Sequence, residues 1–183
     1  NVHLPGRLPG LVRRTREVAD APACADHIAS DLARLSEFLP WPARTDTPAG
    51  AALWVGQYTD GVEGRLLVAG IERGSELLGG IVLFSHEPAM ATVELGCWVV
   101  AAAEGSGAVR AACVEGLREA RREYAVERVV WHCDPANTRS GGLARRLGFQ
   151  LEGVLRSSYV LRGERRDTAL SALVGSEIDE AIT

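Results

Sequence analysis

Apolar residues recur along this chain with two different periods, and the change of period marks out its elements. From Asp20 onward, Ala25, Ile28, Ala29, Leu32, Leu35 and Phe38 fall three or four positions apart, the spacing of one helix face, and Asp20 suits the N-terminus. Pro-Trp-Pro at 40–42 ends that helix. A second helix is predicted over 48–58, with Pro48 in the first turn, where its missing N–H is harmless. The runs at 65–72 and 76–85 then read as strands, and Arg73-Gly74-Ser75 between them as a hairpin turn. A third strand covers 92–100. Ser106 can cap a helix running to about Tyr124, and 127–133 reads as a buried strand. A helix over 138–147 meets Gly148 where a left-handed residue is wanted. Strands at 153–161 and 167–174 close the chain across the turn Arg162-Gly163-Glu164. With a first strand at 11–14, the order is β α α β β β α β α β β. That order predicts a mixed α/β protein with a central sheet and helices on both faces.

No linker, internal repeat or charge block divides the 183 residues, so one domain over 1–183 is expected. The apolar and charged fractions, 46% and 24%, are ordinary for a globular chain. A net charge of −4 argues against nucleic acid as the main partner, which would need clustered positive charge. Every basic residue is Arg and none is Lys; with abundant Ala and Gly, this bias points to a GC-rich, actinobacterial genome. Cys24, Cys97, Cys113 and Cys133 form no CxxC pair and no metal-type spacing with histidine, so no metal is expected. The opening stretch lacks the apolar run of a signal peptide, and no segment approaches the ~20 apolar residues of a membrane span. The expected setting is the cytoplasm, away from membranes.

Two stretches carry chemistry. Glu104-Gly105-Ser106-Gly107 lies between a strand and a helix, where glycines let backbone N–H groups converge on an anion at the helix N-terminus. Alone, such a turn is equally consistent with a tight bend needing positive φ. The second stretch, DPANTRSGGLARRLGFQLEG at 134–153, places Asn137 and Ser140 at the start of a short helix. Both residues are also good helix caps. Strand alternation puts Thr92, Glu94, Gly96 and Trp98 on one face. A carboxylate in so apolar a strand suits a general base, or a structural ion pair with an arginine.

Together, in this order and spacing, the two stretches resemble the GNAT superfamily of acyl-CoA-dependent N-acyltransferases, and within it the RimJ/RimL-like branch. The resemblance covers nearly the whole chain and implies the GNAT fold, in which a splayed sheet admits acetyl-CoA. It implies cofactor contacts at Trp98, Val99 and Val100, at Gly105, Ser106, Gly107 and Ala108, and at Asn137 and Ser140. Backbone N–H groups around Trp98 to Val100 would serve pantetheine and the oxyanion, and Ser140 would assist the departing thiolate. Many other branches use a Tyr further along that helix; one turn after Ser140 this chain has Ala144. It also has Ala102 where the family usually has Gln or Arg before the glycines. Arg110, Arg139, Arg145 and Arg146 can add positive charge near the phosphates, or form a solvated helix face. Glu104 beside them is unhelpful unless its side chain turns away.

The catalytic candidates are Glu94 as base and Ser140, with His132 and Cys133 as lesser bases. Trp41, in a Leu-Pro-Trp element like the family's own, Cys133 and Tyr159 are candidate walls of the acceptor pocket. The implied reaction is direct acetyl transfer to a primary amine, of a protein N-terminus or of a small molecule such as an antibiotic or amino-sugar. A non-catalytic acyl-CoA-binding module is the alternative, and a homodimer is open.

Overall fold

The computed structural model describes residues 1–5 and 9–183. Its centre is one sheet of eight strands: β1 (Val2–His3), β2 (Leu11–Thr15), β3 (Leu67–Arg73), β4 (Glu76–Glu87), β5 (Thr92–Val99), β6 (Arg128–Cys133), β7 (Gln150–Leu161) and β8 (Glu164–Val174). Their spatial order is β1-β2-β3-β4-β5-β6-β8-β7. Among the described residues, only β5 and β6 run parallel. Parallel neighbours need a crossover, and α4 (Ala108–Glu123) supplies it.

Alternation along β5 assigns the two faces. Val93 and Leu95 point into a core shared with Ala112, Leu117 and Ala120 of α4 and with Ala144 of α5 (Thr138–Arg146). Trp98 points the other way, into a core shared with Ile28 of α1 (Ala21–Ser30), Leu35 of α2 (Leu32–Leu35) and Val55 of α3 (Pro48–Thr59). Helices therefore cover both faces, as the element order implies. A last short helix, α6 (Ser176–Ala181), follows β8 and anchors Ile178 in the α4-side core.

The predicted first helix is not continuous. Its apolar spacing persists through Leu32 and Leu35, but the backbone breaks at Asp31, which has φ −135°. A tertiary bond explains the break: the Asp31 carboxylate accepts from the Ala101 N–H at 3.2 Å, beyond the end of β5. Helix α5 ends as expected. Gly148 has φ 93°, and the Phe149 N–H bonds Ala144 C=O at 3.0 Å while that of Gly148 bonds Arg145 C=O at 3.1 Å. This is the Schellman pattern, which needs glycine at the left-handed position.

Candidate active site

Strands β5 and β6 stay together for only three registered pairs, Thr92–Arg128, Val93–Val129 and Glu94–Val130. Beyond them β5 follows β4 as far as the Gly79–Val99 pair, while β6 follows β8 as far as Cys133–Ala169. The seam opens because each strand is held on its outer side. The inner backbone edge of β5 is left without a strand partner, and buried backbone polar groups need partners. Alternation identifies which groups face the gap. The Val100 N–H bonds Leu78 C=O at 2.9 Å, so the Trp98 N–H points toward its register partner Gly80. The groups of Leu95, Cys97 and Val99 face the gap, and an Arg34 guanidinium N–H already donates to Val99 C=O. The expectation of donors around Trp98 to Val100 is thereby corrected. Val99 and Cys97 offer amides to the gap; those of Trp98 and Val100 belong to the sheet. Trp98 contributes its indole instead.

At one end of the gap lies the glycine turn. Gly105 and Gly107 have φ 69° and 86°, and a Cβ on either would meet nothing within 4 Å. Gly107, not Ser106, is the N-cap position of α4. Ser106 is buried, with its hydroxyl donating to Ala103 C=O at 2.7 Å and accepting from the Ala108 N–H at 3.2 Å. This corrects two expected contacts: the Ser106 hydroxyl and the Ala108 amide satisfy each other inside the turn. The amides of Gly105, Gly107, Val109 and Arg110 have no backbone or side-chain acceptor among the described residues, and all four residues line the cavity. Unpaired N–H groups at the start of a sixteen-residue helix fit a pyrophosphate. Glu104 turns from this turn to ion pairs with Arg34 and with Arg139, the latter at 2.8 Å. Arg110 and Arg146 line the cavity and Arg145 does not.

The start of α5 lies across the gap. Asn137 is the N-cap: its side-chain oxygen accepts from the Ser140 N–H at 3.2 Å, while the residue also lines the cavity. Capping and cavity lining thus coexist, because an amide has a carbonyl for one and an NH2 for the other. The Ser140 hydroxyl accepts from the Trp131 indole N–H at 3.0 Å, leaving its own proton to donate. The Cys133 thiol lies against Ser140, and burial raises its pKa. Both residues are half-buried and line the cavity.

The other face of the sheet carries ionisable groups and aromatics. Glu94 and His132 project from neighbouring strands on the α1/α3 side, with His132 Nδ1 3.0 Å from Glu94 Oε1. This hydrogen bond raises the His132 pKa above 6.5 and leaves Nε2 for another partner. Trp41 stacks on Trp54 with ring centroids 4.9 Å apart, and both meet Trp98 edge-on. Trp54 packs against the Ile28–Val55–Trp98 core and also lines the cavity. The Trp98 indole N–H donates to His27 Nε2 at 3.1 Å; burial lowers the His27 pKa to about 4, which keeps it a neutral acceptor.

Tyr159 is less free than the sequence implies. Its hydroxyl donates to Asp134 at 2.8 Å, and burial, then this bond, push its pKa up to about 12. Asp134 is buried, which alone would raise its pKa. Donors from the Ala136 N–H, Arg166 and Tyr159 reverse that and hold it below the usual carboxylate range. Tyr159 and Asp134 thus tie the loop after β6 to the β7–β8 hairpin. Asp134 opens the 134–153 stretch, but its role depends on Arg166, 32 positions away.

The glycine turn, the β5 edge at Cys97 and Val99, Asn137, Ser140, the Glu94–His132 pair and Trp41, Trp54 and Trp98 line one continuous cavity of about 1620 Å³. It runs from the glycine turn, through the β5/β6 gap, to the three tryptophans on the opposite face. Unpaired amides at a helix start, an unpaired strand edge and a carboxylate–imidazole pair thus share one channel.

Residues 11–150 match the model of the acetyltransferase (GNAT) domain, so the chain belongs to the GNAT acetyltransferase family and is an acyltransferase. Its relatives are those of the RimJ/RimL-like branch. It is 29% identical over 171 residues to the putative ribosomal N-acetyltransferase YdaF of Bacillus subtilis, covering 90% of this chain and 91% of that protein. Among solved structures, Mycobacterium smegmatis RimJ, in complex with a CoA disulfide, superposes with a TM-score of 0.82 at 25% identity, covering 94% of this chain and 87% of the other. RimL, a ribosomal L7/L12 α-N-protein acetyltransferase in complex with coenzyme A, shares the fold with a TM-score of 0.84 at 21% identity, covering 95% and 98%.

Proposed function

We propose that residues 1–183 act as one acyltransferase domain that moves an acetyl group from acetyl-CoA directly to a primary amine, with no acyl-enzyme. The observation that carries this reading is the open β5/β6 seam, with the glycine turn at one end and the Glu94–His132 pair at the other. Acetyl-CoA supplies an acyl carbon already activated as a thioester, which leaves the chain to position, deprotonate and stabilise.

The amides of Gly105, Gly107, Val109 and Arg110 would take the pyrophosphate, aided by the positive end of α4. The inward edge of β5 at Cys97 and Val99 would pair with pantetheine amides and polarise the acyl carbonyl. His132 Nε2, with Nδ1 held by Glu94, would accept the amine's proton. The Ser140 hydroxyl, with Trp131 donating to its oxygen, would donate toward the sulfur as it leaves. Trp41, Trp98 and Cys133 would wall the reacting groups from bulk water, and Tyr159 would keep the hairpin in place.

The names of the relatives support a protein N-terminus as acceptor; a small-molecule amine makes the same chemical demand. The test is release of CoA thiol from acetyl-CoA with a panel of N-terminal peptides and small amines. We expect amine-dependent release that Glu94→Gln lowers without weakening CoA binding. CoA binding with no amine-dependent release would overturn the transferase reading.

A further inference from the structure

One cation at the acceptor end has no task in the transfer just described. Arg65 precedes β3, and its guanidinium carbon lies 5.7 Å from the Tyr58 ring centroid and 5.4 Å from that of Phe84. It is half-buried and lines the cavity. Among the described residues no carboxylate pairs with it. The other cavity arginines differ. Arg34 and Arg139 hold Glu104, while Arg44, Arg110 and Arg146 are exposed to solvent. Arg65 is the one withdrawn between aromatic rings without an anion.

Its position relative to the chemistry follows from the register. Phe84 is the cross-strand partner of Glu94, so the two side chains are neighbours on one face. The guanidinium over Phe84 therefore stands about a side chain's length from the Glu94–His132 pair. The Tyr58 hydroxyl takes one Arg65 N–H; ring faces attract a guanidinium but take none of its other in-plane N–H donors, which can match the two oxygens of a carboxylate. A ligand with an amine at Glu94–His132 and a carboxylate at Arg65 would leave this end of the cavity balanced in charge.

We propose that Arg65 is an acceptor-recognition residue, and that the acceptor carries a carboxylate close to the amine that is acetylated. The inference rests on the transferase reading of the same cavity. The carboxylate can belong to a free amino acid or to an acidic side chain near a peptide's amino terminus.

Acetylated product analogues test this without turnover. CoA binding to the wild-type protein is measured first by calorimetry; its absence would overturn the underlying cofactor reading. The CoA complex is then titrated with N-acetylphenylalanine against its amide, and with acetyl-Ala-Glu-Ala-amide against acetyl-Ala-Gln-Ala-amide. We expect the acid member of one pair to bind about tenfold or more tightly than its uncharged partner, the usual scale of a charge-assisted hydrogen bond. The pair that shows the preference identifies the source of the carboxylate. Arg65→Gln should abolish the preference and leave CoA affinity within about twofold, since a merely structural role would disturb both. Arg65→Met, which keeps an apolar stem between the rings, serves if glutamine unsettles the fold. Equal binding of both members to the wild type, or binding of neither, overturns the proposal, as does a preference that survives in either variant.

Discussion

The proton transfer proposed for Glu94 and His132 depends on a contact that strand alternation cannot supply. Alternation places Glu94 on the face of Trp98, but the parallel register that sets His132 beside it is a property of the folded sheet. The ion-pair reading of Glu94 proves to involve a histidine rather than an arginine. Because the bond to Glu94 raises the His132 pKa above 6.5, the imidazole is protonated at neutral pH more often than an isolated one. It gains capacity to accept a proton only as pH rises through that raised value. The acid limb of a kcat/KM profile should therefore lie above pH 6.5, and Glu94→Gln should move it down toward the ordinary histidine value. A limb that stays in place in Glu94→Gln would remove His132 from the mechanism. His132→Gln should lower kcat by about a hundredfold or more, the usual range for a lost general base, with CoA affinity kept. Ser140→Ala separates donation to sulfur from capping in the same way. Its backbone N–H, which the Asn137 cap uses, survives the substitution, so turnover should fall more than CoA affinity. Equal losses would mean that the hydroxyl matters only as the acceptor for Trp131.

At the scale of elements, local signals were legible where a residue's own conformation decides the outcome. Gly148, Pro48 and the Gly105/Gly107 turn could be placed from sequence because left-handed backbone and missing donors leave few alternatives. The break at Asp31 was not legible, since its cause is an amide at Ala101, 70 positions away. Nor was the reversal of Ser106, whose hydroxyl turns inward because Ala103 C=O and the Ala108 N–H both need a partner. The glycine turn yields two opposed predictions for CoA affinity. Gly107→Trp should abolish CoA binding, because φ 86° strains any side chain and an indole would fill the open space over the amides. Glu104→Gln should act the other way. Glu104 holds Arg34 and Arg139 and stands beside the proposed phosphates, so its neutralisation frees two cations and removes a repulsion. A severalfold tighter Kd that fades with added salt is expected by calorimetry. A weaker Kd would mean that the Arg34–Glu104–Arg139 group is needed to shape the turn.

Across the whole molecule, a central sheet covered on both faces could be argued from the succession of elements, whereas the open seam was implied by the family resemblance and not by the pattern of residues. Thr92 and Glu94 aside, β5 reads as apolar, and nothing in its composition indicates that β6 leaves it after Glu94. The same limit hid the junction between the acceptor face and the α1 side, where buried His27 accepts from the Trp98 indole. That junction couples folding to pH. Burial lowers the folded-state pKa of His27 to about 4, while the unfolded chain titrates near 6.5, so between these values the unfolded state binds the extra proton. His27 therefore contributes no pH-dependent loss above about 6.5, and stability falls progressively as pH drops toward 4. At about 1.36 kcal/mol per pH unit, the full loss amounts to about 3 kcal/mol. Asp20, Glu72 and Asp134, whose pKa values are held down by hydrogen bonds and arginines, act at lower pH, because their contribution is complete above the ordinary carboxylate range. His132 has the opposite sign: its raised pKa stabilises the protonated fold below 6.5, and that contribution is lost as pH rises through the raised value. A difference measurement cancels these other groups. Denaturant unfolding of the wild type and of His27→Gln, which keeps an acceptor for Trp98 without a titrating ring, should give stabilities that converge on His27→Gln's favour as pH falls from 7 to 4. A stability difference that is constant over that interval would show that His27 titrates alike in the folded and unfolded chains.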